Sequence, residues 1–338
     1  MEQRIKDRYN ESILQEAVQR YGISQDQISL LDGFESYIYE FERDSAEYIL
    51  RIAHSIRRSS ALIKGEIDWI NYLSDGGVSI ARVIPSLNGE LVEIIDDGNG
   101  GQFLATAFTK ALGGVPWEQA TWDTPEFYES CGQIIGKMHA LAKEYQPSDP
   151  DWKRPEWDAP GNLELDDWLP ESESDALGKF RKLKPYLDTL PKDREGYGLI
   201  HQDAHAGNFF MDESGKITLF DFDDCVYGWY IYDISMVLFY KAMGPQNTRE
   251  YVQEFMTNFL RGYGRENQLD AKWLKEIPYF LKLREIDLYA VIHRSYNVDN
   301  LVNEDPWAAR YMEGRKERIE GDVPVIDFDF ETLGKLQT

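Results

Sequence analysis

Leu199-Ile200-His201-Gln202-Asp203-Ala204-His205-Ala206-Gly207-Asn208-Phe209-Phe210-Met211 runs into the turn Asp212-Glu213-Ser214-Gly215, and Lys216-Ile217-Thr218-Leu219-Phe220-Asp221-Phe222-Asp223-Asp224 follows. Two short apolar runs flanking a glycine-containing turn read as an antiparallel hairpin, with 208–212 paired to 216–221. That pairing predicts that Asn208 and Asp221 share one mouth of the hairpin, with Asp203 on the loop just upstream. An amide oxygen and a carboxylate beside a second carboxylate suit a hard cation. Magnesium takes a few side-chain oxygens and fills its octahedron with water and substrate phosphates. Phosphoryl transfer around such an ion asks the protein for positioning and charge stabilisation rather than covalent chemistry. One carboxylate must accept or orient the proton of the attacking hydroxyl, and Asp203 is available for that role.

The segment resembles the His-x-Asp-x-x-x-x-Asn loop and the metal-binding Asp of the aminoglycoside phosphotransferase and choline kinase superfamily. The wording Asp203-Ala204-His205-Ala206-Gly207-Asn208 is especially similar to bacterial members that phosphorylate small metabolites or proteins. The resemblance implies an α+β, protein-kinase-like, two-lobed fold, with a small β-rich N-lobe and a larger, mainly helical C-lobe. It further implies ATP as the phosphoryl donor, Asp203 as the catalytic base, and Asn208 and Asp221 as ligands of Mg2+. Asp233 resembles the structural aspartate that follows in the family, at the start of the next helix; capping that helix N-terminus is its expected role. His201 is expected to shape the loop by hydrogen bonding. His205 either faces the phosphates or finishes the turn, and Asp223 either assists the metal or is a solvated carboxylate.

Working towards the N-terminus, an amphipathic helix around Ile13, Ala17 and Tyr21 precedes three strands within 27–54, of which Tyr48-Ile49-Leu50-Arg51-Ile52 is the clearest. A helix over about 59–74 ends at Asp75-Gly76-Gly77, and two more strands are predicted at 91–96 and 102–108. The expected N-lobe is therefore 1–108, a leading helix, a five-stranded sheet and one further helix. A kinase-like site needs a cation for the α- and β-phosphates, held by a helix carboxylate. Arg51 stands where kinases carry lysine. On the following helix Leu62, Glu66, Trp69, Ile70 and Leu73 share one face, so Glu66 needs a partner and Arg51 is the natural one. The alternative leaves Arg51 on a strand surface and Glu66 at a helix edge. Gly33-Phe34-Glu35-Ser36, with one glycine, takes the place of the glycine-rich phosphate loop or is a plain β-turn; Gly33 and Ser36 are its candidate contacts. Thr106 to Thr109, including Phe108, are expected to form the hinge that meets adenine. No GxxxxGK[ST] occurs.

Residues 109–338 make up the expected helical C-lobe, carrying the catalytic loop and the metal-binding hairpin. Thr124-Pro125-Glu126 reads as an N-cap with proline at the first helical position, and further helices are predicted over 174–187, 231–243, 247–263, 271–297 and 305–319. Tyr227, Trp229 and Tyr232 after the hairpin, and Arg284, Glu285, Asp287, Tyr289, His293 and Arg294 on a later helix, are candidates for binding the acceptor. Carboxylates with aromatics suit an ammonium group. Arginines there suit a carboxylate instead.

Composition sets the outer bounds. With 36 Lys and Arg against 60 Asp and Glu, the net charge of −24 excludes the basic footprint a nucleic-acid binder needs and disfavours anionic membranes. The N-terminal Met1 to Arg8 stretch lacks the apolar core of a secretory signal, and no apolar run is long enough to span a bilayer. Two widely separated cysteines, Cys131 and Cys225, exclude a disulfide framework and fit a cytoplasmic protein. Three readings follow: a phosphotransferase acting on a small hydroxylated molecule such as an amino alcohol, aminosugar or amino acid; a bacterial protein Ser/Thr kinase; and a non-catalytic, kinase-like coat or nucleotide-binding protein.

Overall fold

The strand read at 48–52 extends over Ala46–His54, and its alternation organises the N-terminal sheet. The computed structural model describes residues 2–31, 33, 35–118, 122–241, 243 and 248–336. They divide into two units, one of Met1–Val115, Tyr145–Arg154 and Phe209–Asp223, the other of Pro116–Glu144, Pro155–Asn208 and Asp224–Thr338.

In the first unit, helix α1 (Glu11–Tyr21) leads into β1 (Ile28–Leu31), β2 (Tyr37–Arg43) and β3 (Ala46–His54), then α2 (Ser60–Asp75), β4 (Val83–Ile84), β5 (Glu93–Asp96) and β6 (Gln102–Thr109). The strand order is β1-β2-β3-β6-β4, with β5 also paired to β6, so the sheet has six strands rather than the expected five. The two-residue β4 is too short to leave a period-2 signature. Successive side chains of a strand point to opposite faces, and both faces are used. Ile52 and Ala105 join the cluster built on Ile13, Ala17 and Tyr21 of α1. Their neighbours Ala53 and Leu104 pack with Ile63 and Ile67 of α2. Arg51 and Thr106, paired across β3 and β6, therefore belong to the α2 face. Helix α2 starts where Ser59 Oγ accepts the Leu62 N–H at 3.2 Å, an N-cap that fixes the entry of the chain.

The second unit opens with α3 (Pro125–Ala142), where Thr124 caps the helix by accepting the Phe127 N–H at 3.3 Å. Next come α4 (Ser174–Leu187) and β7 (Tyr197–Ile200). The chain then contributes a hairpin to the first unit, β8 (Phe209–Met211) and β9 (Ile217–Leu219), with Phe209 opposite Leu219. Ladder pairing is thus confined to three residues a side, shorter than 208–212 against 216–221. Back in the second unit, β10 (Val226–Trp229) pairs antiparallel with β7. Helices α5 (Tyr230–Lys241), α6 (Arg249–Tyr263) and α7 (Ile277–Ser295) follow, then α8 (Pro306–Met312) and α9 (Arg315–Glu320). Residues 271–276 are a 3-10 turn, not part of α7. The helix expected over 305–319 is broken at Gly314, which adopts φ +63°. No helix among the described residues is long and apolar enough to cross a membrane.

Candidate active site

In the first unit, Arg51 is paired as its strand and helix periodicities predict. Its Nη1 and Nη2 donate to the two Glu66 carboxylate oxygens at 2.8 and 2.7 Å, a bidentate fork. Its Nε donates to Thr106 Oγ1 at 3.3 Å, and its guanidinium lies 5.1 Å from the Phe108 ring centroid. Burial disfavours the charged guanidinium, yet Glu66, and after it Asp223 and Asp221, hold its pKa above the ordinary value. Thr106 to Thr109 are all inside β6 rather than in a connecting segment, and the first unit continues to Val115. Thr106 and Phe108 meet Arg51 there, on the inner strand shared by β3, β4 and β5. In the turn before β2, Gly33 is described and Phe34 lies outside the described residues. A Cβ on Gly33 would stand 2.3 Å from the Ser36 carbonyl oxygen, so this turn closes on itself too tightly for any other residue.

Asp223 sits among arginines. Arg51 Nη1, Arg57 Nη2 and Arg58 Nε approach its carboxylate at 3.8, 3.6 and 3.4 Å, and Arg154 donates to its carbonyl oxygen at 2.6 Å. Burial raises its pKa, but Arg58, Arg51, Arg57 and Arg154 together hold the carboxyl well below the usual range. Asp223 is therefore a half-buried ion-paired group and not a solvated carboxylate. Asp221 adopts φ +65°, a left-handed conformation that non-glycine residues rarely take and that marks functional loops.

In the second unit, the loop after β7 is fixed by Asp233. Its Oδ2 accepts the His201 N–H at 2.8 Å and its Oδ1 the Gln202 N–H at 2.7 Å, while His139 Nε2 on α3 lies 3.1 Å from Oδ2. The expectation that Asp233 caps its own helix is corrected: it lies in the first turn of α5 but spends both oxygens on a loop some thirty residues upstream. That support holds Gln202 at φ +70°. His201 is fully buried and its Nδ1 accepts the Asp203 N–H at 3.3 Å, the loop-shaping role expected of it.

Asp203 gathers cations and donors. Arg284 Nη2 on α7 donates to its Oδ1 at 2.9 Å and also to Tyr240 Oη at 2.5 Å, while Arg284 Nη1 donates to Asp287 at 2.9 Å. His205 accepts the Gly207 N–H at Nδ1, 2.9 Å away, which leaves the proton on Nε2, 3.4 Å from Asp203 Oδ2. The imidazole also lies against the Tyr240 ring, 4.7 Å between centroids. Asn208 Nδ2 donates to the Asp203 carbonyl at 2.9 Å, which leaves Oδ1 as the acceptor atom of its amide. Burial raises the Asp203 pKa, but His205 and Arg284 outweigh it and hold the carboxyl below the ordinary range, ionised at neutral pH. Asp287 is pushed the other way by burial.

The other acceptor candidates have the following described partners. Glu285 is buried and bound by Lys282 and Arg315, each at 2.7 Å. Tyr289 donates to Glu173 at 2.7 Å, and His293 packs on the Tyr289 ring. Arg294 stacks over Trp168, and Trp229 is fully buried with its indole N–H donating to the Pro191 carbonyl. Tyr232 is buried against Phe280, and Tyr227 is part of the β10 ladder. Arg284 is the member of this group with a described contact to Asp203. Arg57, Arg58, Arg154 and Tyr240 went unnoticed in the sequence; the adjacent Arg57-Arg58 pair in an acidic chain was a readable signal, whereas Arg154 and Tyr240 carried none.

Comparison with known proteins gives the family. Residues 26–279 match the phosphotransferase enzyme family. The chain is 41% identical over 329 residues to the amicoumacin kinase of Bacillus subtilis (strain 168), covering 96% of each. Among solved structures it is similar to the amicoumacin kinase hAmiN in complex with AMP-PNP, Ca2+ and Ami, at 37% identity and a TM-score of 0.90, over 98% of this chain and 100% of that one. The microcompartment-associated aminopropanol kinase shares its fold at 23% identity and a TM-score of 0.72, over 93% and 98% of the two chains. The chain belongs to the phosphotransferase enzyme family and is a kinase built on the α+β, protein-kinase-like fold.

Proposed function

We propose that the chain transfers the γ-phosphoryl group of ATP to a hydroxyl of amicoumacin or a near analogue of it, with Mg2+ as the working ion. The observation that carries this reading is end-to-end similarity to an amicoumacin kinase, with both chains covered to 96%. The AMP-PNP, calcium ion and Ami in the hAmiN complex support the donor, the need for a divalent ion and the acceptor.

Asp203 takes the acceptor's proton in this scheme. Its support is an ionised carboxylate held in place by Arg284, by its own loop and by the buried Asp233 beneath. Asn208 and Asp221 offer the oxygen-only donors that Mg2+ and Ca2+ both accept. An ion held by Asn208 and Asp221 would supply positive charge to offset that of the phosphates. Arg51, held by Glu66, meets the α- and β-phosphates, where a guanidinium supplies a planar fork in place of the ammonium of lysine. Tyr240 and His205 line the approach to Asp203 and orient the acceptor.

The test is direct. Purified protein with ATP, Mg2+ and amicoumacin should yield ADP and an acceptor heavier by one phosphoryl group, with amino alcohols, aminoglycosides and free amino acids as competing acceptors. Turnover of a competitor with amicoumacin untouched would reassign the acceptor. ADP release with no phosphorylated product from any of them would overturn the reading.

A further inference from the structure

Arg57 and Arg58 stand next to each other between β3 and the Ser59 cap of α2, in a chain whose net charge is −24. Neither is a solvent-facing solubility charge. Their side chains are 14% and 11% exposed, and both turn towards Asp223, itself 15% exposed. Their contacts to that carboxylate, 3.6 and 3.4 Å, exceed the roughly 2.7–2.9 Å of a tight charged hydrogen bond. The Arg51–Glu66 fork in the same unit does reach that range. Glu66 balances Arg51, and Glu35 forms an ion pair with Arg57. Asp223 is a counter-ion that Arg51, Arg57 and Arg58 share at these longer distances, with Arg154 donating to its backbone carbonyl.

Glu35 belongs to the turn with a single glycine, Gly33. Glycines let a phosphate loop bring its backbone N–H groups close to the ligand, and this stretch carries a single one. Guanidinium forks can do the same work from side chains.

We propose that Arg57 and Arg58 form a second phosphate grip, in which the β- and γ-phosphate oxygens of a nucleoside triphosphate take the place that the Asp223 carboxylate holds beside them. The inference rests on the nucleotide-dependent reading above. Asp223 is then a resident placeholder, one of the anions beside these two half-buried guanidinium groups until phosphate arrives.

Binding of adenosine, AMP, ADP and AMP-PNP, with and without Mg2+, tests this by calorimetric titration of the wild type and of Arg57→Gln, Arg58→Gln, Arg57→Lys and Arg58→Lys. Each Gln variant should lose about 10- to 100-fold in affinity for ADP and AMP-PNP while keeping that for adenosine, and each Lys variant should recover part of the loss. Asp223→Asn, which removes the competitor, should bind metal-free ADP more tightly than the wild type. Equal losses for adenosine and AMP-PNP, or no loss with AMP-PNP, would overturn the grip. Where a Gln variant unfolds, the Lys variant decides: affinity for ADP and AMP-PNP below wild type with adenosine unchanged sustains the grip, and wild-type affinity for all four ligands overturns it. A wild type that binds no nucleotide would remove the underlying reading together with this inference. A wild type that binds all four ligands equally would remove this inference alone.

Discussion

Replacing Glu66 by Gln keeps the side-chain volume and removes the charge facing Arg51 inside the first unit. The two guanidinium nitrogens lie 2.8 and 2.7 Å from the carboxylate oxygens, and the side chains are 7% and 1% exposed, so water screens the pair very little. Removing one partner of a buried pair costs about 3–5 kcal/mol, because the other charge stays buried without compensation. Asp223, 3.8 Å from Arg51, supplies partial compensation and places the expected loss near the lower end, about 3 kcal/mol. At roughly 2–4 °C per kcal/mol, Tm should fall by about 6–12 °C. The double variant Arg51→Met/Glu66→Met replaces the pair by apolar side chains of similar length. Its stability should return to within about 1 kcal/mol of the wild type. Nucleotide affinity should not return with it, since the cation is gone. Thermal unfolding followed by circular dichroism, paired with titration of Mg2+ and AMP-PNP, reads both quantities. A Glu66→Gln protein melting within about 2 °C of the wild type would refute the burial argument. A double variant with wild-type affinity would refute a phosphate role for Arg51.

Asp203→Asn should lower the transfer rate by about 10²- to 10⁴-fold while AMP-PNP affinity stays unchanged, as measured by initial rates and titration; wild-type turnover would exclude Asp203 as the proton acceptor. Arg284→Met removes a cation 2.9 Å from Asp203, so the acidic limb of the rate profile should move up by about 1–3 pH units. In the wild type the Asp203 pKa is depressed, so its contribution to stability is complete above the ordinary carboxylate pKa of about 3.9 and is lost only as pH falls through the lower folded value. An unshifted limb in Arg284→Met would show that Arg284 does not govern that ionisation. Asp233→Ala strands two buried N–H groups, of His201 and Gln202, and should cost about 3–5 kcal/mol in chemical denaturation, with transfer lost in step; a cost below about 1 kcal/mol would mean that the loop holds itself.

What the sequence made legible was local. A period of two on β3 and of 3.6 on α2 is enough to aim Arg51 and Glu66 at one another, only fifteen residues apart. The hairpin was legible for the same reason, since its turn carries Asp212, Ser214 and Gly215 between two apolar runs. Asp233 was misread because, seen along the chain, an acidic residue at a helix start is a cap. Only the packed fold shows that its partners are amides thirty residues away. The interrupted helix after residue 305 had a signal in Gly314 that the apolar spacing around it concealed.

The two groups of residues owe their placement to different parts of the fold. Gly132 and Gly136 on α3 lie against the carbonyl groups of Phe259 and Tyr263 on α6, and Gly262 lies against that of Glu129, so the two helices approach as closely as backbones can. At that contact the Tyr263 hydroxyl meets His139 Nδ1 at 3.0 Å, which leaves the His139 Nε2 proton for Asp233. Asp233 in turn holds the amides of His201 and Gln202. A left-handed Gln202 is costly by itself, so the loop keeps its shape only while this relay through α3, α5 and α6 stays packed. Asp203 therefore draws its position from the helical core of the second unit. Arg51, Arg57 and Arg58 draw theirs from β3, its exit and α2 in the first unit. Damage to the α3–α6 contact should reach transfer through Asp203 while leaving the arginines in place, so a chain can lose turnover by a packing defect and still hold its nucleotide.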